Sequence, residues 1–156
     1  MKLICIGKNK DKALQELEKE YGKRIRSFEK LEIIEVKDEA NTHADREKEC
    51  ERIKDLEGKR VLEKLKPSDL VILLDLHGTM DDSLSFSKRL KRLRDEGKSI
   101  VFVIAGSLGP SKELAQRADH RWKLSDLTFT HLMTRILILE QIYRAFMIDA
   151  NRNYHK

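Results

Sequence analysis

The chain has 156 residues, of which 38% are charged and 40% hydrophobic, and its formal net charge is +5 at pH 7. This length suits a single domain, residues 1–156, that can bury a continuous core. Apolar residues cluster in runs of strand length, which excludes a disordered chain, and no run approaches the ~18 residues of a membrane span. The excess of Lys and Arg is compatible with a polyanionic partner but does not identify one.

The cysteines and the N-terminus indicate a reducing, intracellular setting. Cys5 lies in an apolar strand run and Cys50 in a charged helical stretch, so we interpret them as buried or incidental thiols. The apolar start Leu3–Ile6 is too short for a signal peptide. No metal site is predicted, because His43 has no second His or Cys at ligand spacing. We therefore expect a cytoplasmic protein.

Strand-like apolar runs and amphipathic helix patterns alternate along the chain. In chain order the predicted elements are strand Met1–Ile6, helix Asp11–Phe28, strand Leu31–Val36, flexible loop Lys37–Asp45, helix Arg46–Leu65, strand Leu70–Leu76, helix Ser83–Glu96, strand Ile100–Ile104, a short helix after Pro110, and helix Thr130–Ala150. This order predicts an α/β fold, a mostly parallel sheet with helices on both faces.

Local signals refine the order of these elements. The strand at 31–36 is half charged, which is typical of an edge strand, whereas 70–76 is the most apolar run and is predicted to be central. Asp81 or Asp82 is a candidate cap for the following helix, and Gly97 is its natural stop.

Two loops near strand ends are candidates for a ligand site. Ala105–Pro110 follows a buried strand, and Leu124–Thr130 leads into the last helix. Open α/β sheets bind ligands at such places. The first loop is neither a Walker P-loop nor a dinucleotide fingerprint, and no GxSxG elbow is present.

Polar residues near these loops have more than one interpretation. Asp75 ends the central strand and is either catalytic or, as the spacing alone favours, a strand end near solvent. His131 and Arg135 are four residues apart, so they share one face near the N-terminus of the last helix. Such a position suits an anionic or electron-rich ligand.

Several motifs in this order carry a family resemblance. The segments FVIAGSLGPS, WKLSDLTFTHLMTRILILEQIYRAFMI and NYHK, with the MKL start, the IIEV strand, the L-D strand end and the E-G-x-R-x-L helix end at 57–62, cover essentially the whole chain. The sequence resembles the ribosomal RNA large-subunit methyltransferase H family of the SPOUT class of methyltransferases.

The resemblance implies a C-terminal trefoil knot, which periodicity cannot predict. It also implies that S-adenosylmethionine binds in a bent form at the knot, against loop backbone. The implied cofactor-binding residues are Leu74, Ala105, Gly106, Gly109, Leu124, Ser125, Asp126, Leu127, Thr128 and Phe129. Close approach of a ligand to backbone would explain the glycines at 106 and 109.

The resemblance further implies a homodimer with its active site near the subunit interface. The implied reaction is methylation of N3 of a pseudouridine in 23S rRNA of assembled ribosomes. The substrate-side candidates are His131, Arg135, Tyr154 and His155. In these roles Arg135 would stabilise an anionic base or a phosphate, His155 would transfer a proton, and Tyr154 would stack on or hydrogen-bond the base.

Two positions depart from the family pattern, which has Gly-Gly at 105–106 and Pro at 130. Ala105 is harmless if its φ is negative and its methyl points away from the cofactor loop, and otherwise cofactor affinity should fall. Thr130 can cap the last helix in place of proline. We therefore expect an active enzyme. The alternatives are a ribosome- or RNA-binding assembly factor without efficient methyl transfer, and a small-molecule α/β enzyme with a nucleotide cofactor, which the missing dinucleotide fingerprint disfavours.

Overall fold

The computed structural model describes residues 1–40 and 46–155, and within them strands and helices alternate. The elements are β1 (Lys2–Ile6), α1 (Lys12–Arg26), β2 (Glu32–Val36), α2 (Glu47–Leu62), β3 (Asp69–Met80), α3 (Ser83–Asp95), β4 (Ser99–Ile104), α4 (Lys112–Arg117), β5 (His120–Lys123) and α5 (His131–Asp149). Residues 41–45 of the predicted loop, including His43, lie outside the described residues.

The strands form one sheet in the order β2-β1-β4-β3-β5, and every neighbouring pair is parallel. The α/β prediction is therefore confirmed. The charged strand β2 lies at an edge and the apolar strand β3 lies inside the sheet, both as predicted. Because the strands are parallel, their carboxyl ends meet at one edge of the sheet.

Side chains alternate between the two faces of the sheet and build two apolar layers. One face packs against α1, α3 and α5, where Phe86 and Trp122 stack with ring centroids 4.1 Å apart. The opposite face packs against α2 and α4. Cys5 is fully buried in the first layer, and burial raises the pKa of its thiol to about 12, so that it is unreactive.

Side-chain caps fix where the helices begin. Asp82 accepts a hydrogen bond from Ser85 N at 2.7 Å, which decides between the two predicted caps of α3. Gly97 follows the end of α3 with φ +69°, as a stop residue should. Thr130 caps α5 as predicted, because its Oγ1 accepts from Met133 N at 3.3 Å. No helix in residues 1–40 and 46–155 combines the length and the apolar character that crossing a bilayer requires.

The carboxyl end of β3 differs from the prediction. β3 runs on to Met80, and β5, which the sequence analysis did not predict, pairs beside it. The register jumps within this pair, so that Trp122 lies opposite both Leu74 and Thr79. Residues 75–78 therefore form an irregularity on the side of the sheet where the carboxyl ends of the strands lie.

The close approach of β3 to β5 depends on Gly78. A Cβ at this position would lie 2.5 Å from the backbone oxygen of Arg121, and backbone cannot move aside cheaply. We expect Gly78→Ala to lower the free energy of unfolding by about 2 kcal/mol, which corresponds to roughly 4–8 °C in thermal denaturation.

A matched glycine substitution serves as the control. Gly22 lies in α1 with nothing within 4 Å of an added Cβ. Gly22→Ala should raise the free energy of unfolding by about 0.5–1 kcal/mol through helix propensity. Equal melting temperatures for the two variants would contradict the tight β3–β5 contact.

Candidate active site

A cleft of about 820 Å³ opens at the carboxyl ends of β3, β4 and β5. Its walls are residues 74–77 within β3, residues 104–112 at and after the end of β4, residues 121–130 at and after the end of β5, and the first turn of α5. Helix α2 adds Lys54 and helix α4 adds Ala115. The two loops that the sequence analysis singled out are thus opposite walls of the same cleft.

Most of the predicted cofactor-binding residues line this cleft. The nine that do so are Leu74, Ala105, Gly106, Gly109, Leu124, Ser125, Leu127, Thr128 and Phe129. Asp126 is the exception. Its carboxylate is 77% exposed and pairs with Lys123 at 2.6 Å, away from the lining. The prediction for its side chain therefore has no support in the geometry.

The loop after β4 is a tight turn, in which Gly109 has φ +85° and donates its N–H to Gly106 O at 3.0 Å. Glycine suits position 109 because residues with a side chain rarely adopt this positive φ. Gly106 is small for another reason, since a Cβ there would lie 2.5 Å from Oε2 of the Glu57 carboxyl. Contact with the Glu57 side chain of α2 thus leaves little room for a Cβ at 106. Ala105 does not have a positive φ, and its methyl is buried in the layer beneath α2 and α4.

The opposite wall, at 124–130, is more open. Ser125 Oγ accepts the N–H of Leu127 at 3.0 Å, which folds the loop back on itself. The side chain of Leu127 is 69% exposed and that of Phe129 is 38% exposed. This wall therefore presents apolar groups at the mouth of the cleft.

An ion pair with a buried carboxylate lies in the wall of the cleft, between β3 and β5. The carboxylate of Asp75 is 3% exposed and accepts from Arg121 Nη2 at 2.6 Å and Nε at 2.7 Å. Its second oxygen accepts the backbone N–H of His77 at 2.9 Å. Asp75 is therefore a buried, paired carboxylate inside β3 and not a strand end near solvent, and its catalytic interpretation stays a prediction. Sequence reasoning missed Arg121 and Trp122 as lining residues because β5 was not predicted, and it missed His77 because the predicted strand ended at Leu76.

His131 also lines the cleft, at the start of α5. Burial lowers the pKa of His131 from its ordinary value, and the nearby Arg135 charge lowers it further, while Asp38 opposes the shift. A lowered pKa keeps this imidazole neutral near pH 7, so that it can accept a proton or a hydrogen bond.

Arg135 lies away from the cleft, contrary to the substrate-side position expected for it. Its side chain is fully buried and donates to Glu35 at 2.6 Å and to the carbonyl of Gly7. Glu18 lies 3.7 Å from the same guanidinium. Arg135 therefore joins α5 to β1, β2 and α1, and a buried guanidinium so placed does not reach a base in the cleft.

The C-terminal tail folds back on the outer side of α5 in this chain. Tyr154 donates its hydroxyl to Glu140 at 3.2 Å, and its ring lies under the Arg144 guanidinium at 4.8 Å. His155 Nδ1 is 3.5 Å from Arg144 Nη1. Neither tail residue lines the cleft of its own chain. The four predicted substrate-side residues are thus at three separate places.

Comparison with known proteins adds to this geometry. A family model described as "Predicted SPOUT methyltransferase" matches residues 1–155. A curated protein of Desulfitobacterium hafniense named "Ribosomal RNA large subunit methyltransferase H" is 43% identical over 157 residues, covering 100% of this chain and 98% of its own.

Two further relatives carry closely similar names. "Ribosomal RNA large subunit methyltransferase H 1" of Clostridium perfringens is 45% identical over 155 residues, covering 99% of this chain and 98% of its own. "Ribosomal RNA large subunit methyltransferase H" of Lactobacillus acidophilus is 40% identical over 157 residues, covering 100% of this chain and 99% of its own.

Proposed function

Because the chain belongs to the SPOUT methyltransferase family, we propose that it transfers a methyl group from S-adenosylmethionine to large-subunit ribosomal RNA in the cytoplasm. The observation that carries the proposal is the cleft whose walls include the loops after β4 and β5. The names of relatives that match this chain from end to end support ribosomal RNA as the substrate.

The residues of the cleft fit S-adenosylmethionine in size and chemistry. About 820 Å³ lies within the range of small-molecule sites. The lining cations Lys54 and Lys112 are suited to the carboxylate of the amino-acid part, whereas Arg121 and Asp75 are already paired with each other. Backbone groups of 105–109 and 124–129 would hold the adenine. When bound, this cofactor supplies an electrophilic methyl group.

The finer proposal is that the methyl acceptor is N3 of a pseudouridine in 23S rRNA of the assembled ribosome. The base must give up its N3 proton, and the new bond from N3 to the methyl carbon would replace the sulfur–methyl bond of the donor, which would leave as the thioether. His131, which lines the cleft, accepts a hydrogen bond from the base, and His155 takes the proton. Tyr154 stacks on or hydrogen-bonds the base. In this proposal Arg135 has a structural role, because it joins α5 to β1, β2 and α1.

We further propose that the chain acts as a homodimer with the tail of one copy at the cleft of the other. Two observations support this arrangement. The tail lies on the outside of α5, away from the cleft of its own chain. Exposed apolar side chains surround the mouth of the cleft, as is typical of an interface. They are Leu76, Leu127 and Phe129, all of which line the cleft. The trefoil knot implied by the family resemblance stays a prediction.

Calorimetric titration with S-adenosylmethionine, followed by methyl transfer to ribosomes from cells lacking the endogenous enzyme, tests the proposal. We expect binding, and mass spectrometry should find one methylated pseudouridine in 23S rRNA. Ser107→Trp should block the cleft, because the exposed Ser107 lines it. Ser68→Trp, at an exposed turn before β3, is the matched control and should behave as wild type.

Each failure of this experiment has a distinct meaning. If the wild-type chain bound no S-adenosylmethionine, the proposal that it is a methyltransferase using this donor would be refuted. Binding without transfer to ribosomes would favour the assembly factor. Transfer to a different nucleotide would refute only the finer assignment.

A further inference from the structure

Helix α2 supports the cleft loop 105–111 from behind through two consecutive residues. The Glu57 carboxyl lies beneath Gly106, where an added Cβ would be 2.5 Å from its Oε2 and 3.3 Å from Ile6 Cγ2. A Cβ on Gly58 would overlap Ser111, whose Oγ caps α4 by accepting from Leu114 N at 3.1 Å. Both ends of the loop therefore rest on the same turn of α2.

The Glu57 carboxyl also holds the connection after β2. Its Oε1 accepts the backbone N–H of Glu39 at 2.9 Å. Arg60, almost one turn further along α2, donates to Lys37 O at 2.9 Å and pairs with the Glu39 carboxylate. The loops after β2 and β4 are thus tied to α2 side by side.

Burying a carboxyl at position 57 carries a desolvation cost, which indicates that this carboxyl has a specific role. Glu57 is only 4% exposed, and burial raises the pKa of its carboxyl. An apolar side chain on α2 would avoid the desolvation penalty of a buried acid. Glu57 is also absent from the cleft lining, so it does not touch a ligand there.

We propose that Glu57 is a positioning residue that fixes the shape of the loop 105–111 and thereby sets the affinity of the cleft for the methyl donor. The part concerning affinity rests on the proposed function. Removal of the carboxyl leaves a space beneath Gly106 and frees the Glu39 N–H. The loop can then relax away from the position that forms the wall of the cleft.

The first test compares Glu57→Ala with Asp55→Ala, a matched control at an exposed position on α2. The dissociation constant and the KM for S-adenosylmethionine should rise about tenfold in Glu57→Ala, the scale of one lost buried hydrogen bond. At saturating cofactor kcat should stay near the wild-type value, and Asp55→Ala should change neither constant. Glu57→Gln, which keeps the shape and an acceptor oxygen, should restore most of the affinity.

A double-mutant cycle tests whether Glu57 acts through Gly106. Gly106→Ala should weaken cofactor binding in the wild-type background, because its methyl meets the carboxyl. The same substitution should cost much less in the Glu57→Ala background, where the space is empty. Additive effects of the two substitutions would overturn the proposed route.

Hydrogen exchange in the ligand-free protein gives a readout that does not depend on the cofactor. Amides of the segment 105–111 should exchange faster in Glu57→Ala than in wild type and should be unchanged in Asp55→Ala. If Glu57→Ala does not fold, Glu57→Asp replaces it, because the shorter side chain withdraws the carboxyl from Gly106. Wild-type exchange and wild-type affinity in a folded variant would overturn the inference. A wild-type chain that binds no cofactor would instead count against the proposed function, and exchange would still decide the positioning role.

Discussion

Replacing His155 by alanine should lower the rate of methyl transfer at least about a hundredfold, the usual scale for loss of a proton-transfer group. The dissociation constant for S-adenosylmethionine should stay within about twofold of the wild-type value, because in the proposed dimer His155 meets the base and not the cofactor. The measurement is single-turnover transfer to ribosomes at saturating cofactor. Loss of cofactor binding in a folded dimer would contradict the proposed role.

Mixing two inactive variants tests whether the tail acts in the second subunit. Ser107→Trp blocks the cleft and keeps the tail, whereas His155→Ala keeps the cleft and lacks the imidazole. In a mixed dimer one site then combines an intact cleft with an intact tail. Equal mixing should recover about a quarter of wild-type activity, since half of the dimers are mixed and each has one working site. No recovery would show that cleft and tail act within one chain.

Replacing Arg135 by methionine should lower the free energy of unfolding by about 3 kcal/mol, because it leaves partners of a buried guanidinium unpaired. For a domain of this size the melting temperature should fall by roughly 6–12 °C. Lys91→Ala, which removes a surface pair with Asp95, is the control and should cost less than about 1 kcal/mol. A stable Arg135→Met protein that has lost methyl transfer would restore the substrate-side role predicted from sequence.

The stability difference between wild type and Arg135→Met should depend on pH. Burial alone would raise the pKa of Glu35, but hydrogen bonds from Arg135 and from the Asn9 N–H, together with the Arg135 charge, lower it overall. A lowered pKa contributes stability above the ordinary carboxyl value of 4.5 and loses it as the pH falls below that value. The advantage of wild type over Arg135→Met should therefore shrink in acid, as measured by chemical denaturation between pH 7 and pH 3.

Sequence periodicity was sufficient for the alternating strands and helices, for the edge position of β2 and for the two loops of the cleft. It failed at β5, a strand of only four residues with charged side chains on both sides of its one buried residue, Trp122. Strand patterns need several alternations to stand out, and β5 offers a single one. With β5 missing, the irregular end of β3 and the Asp75–Arg121 pair could not be predicted either.

Arg135 shows a different reason for failure. Its helical spacing from His131 correctly placed both residues near the start of α5, but its partner Glu35 lies 100 residues earlier in the chain. Local patterns carry no information about such a pairing. Gly106 is a third case: the sequence indicated a small residue at this position, but only the packing of α2 showed that the Glu57 carboxyl occupies the space beside it.

The walls of the cleft consist of segments that are distant in sequence. These segments meet only when the parallel strands are paired. Partial unfolding that separates β3 from β4 or β5 should therefore destroy the binding site together with the core. Any ligand of this cleft then favours the fully folded chain over partly opened forms. At a hundredfold excess over its dissociation constant a ligand adds about 2.7 kcal/mol to the free energy of unfolding. Thermal shift can thus screen candidate methyl donors and inhibitors without a ribosome in the assay.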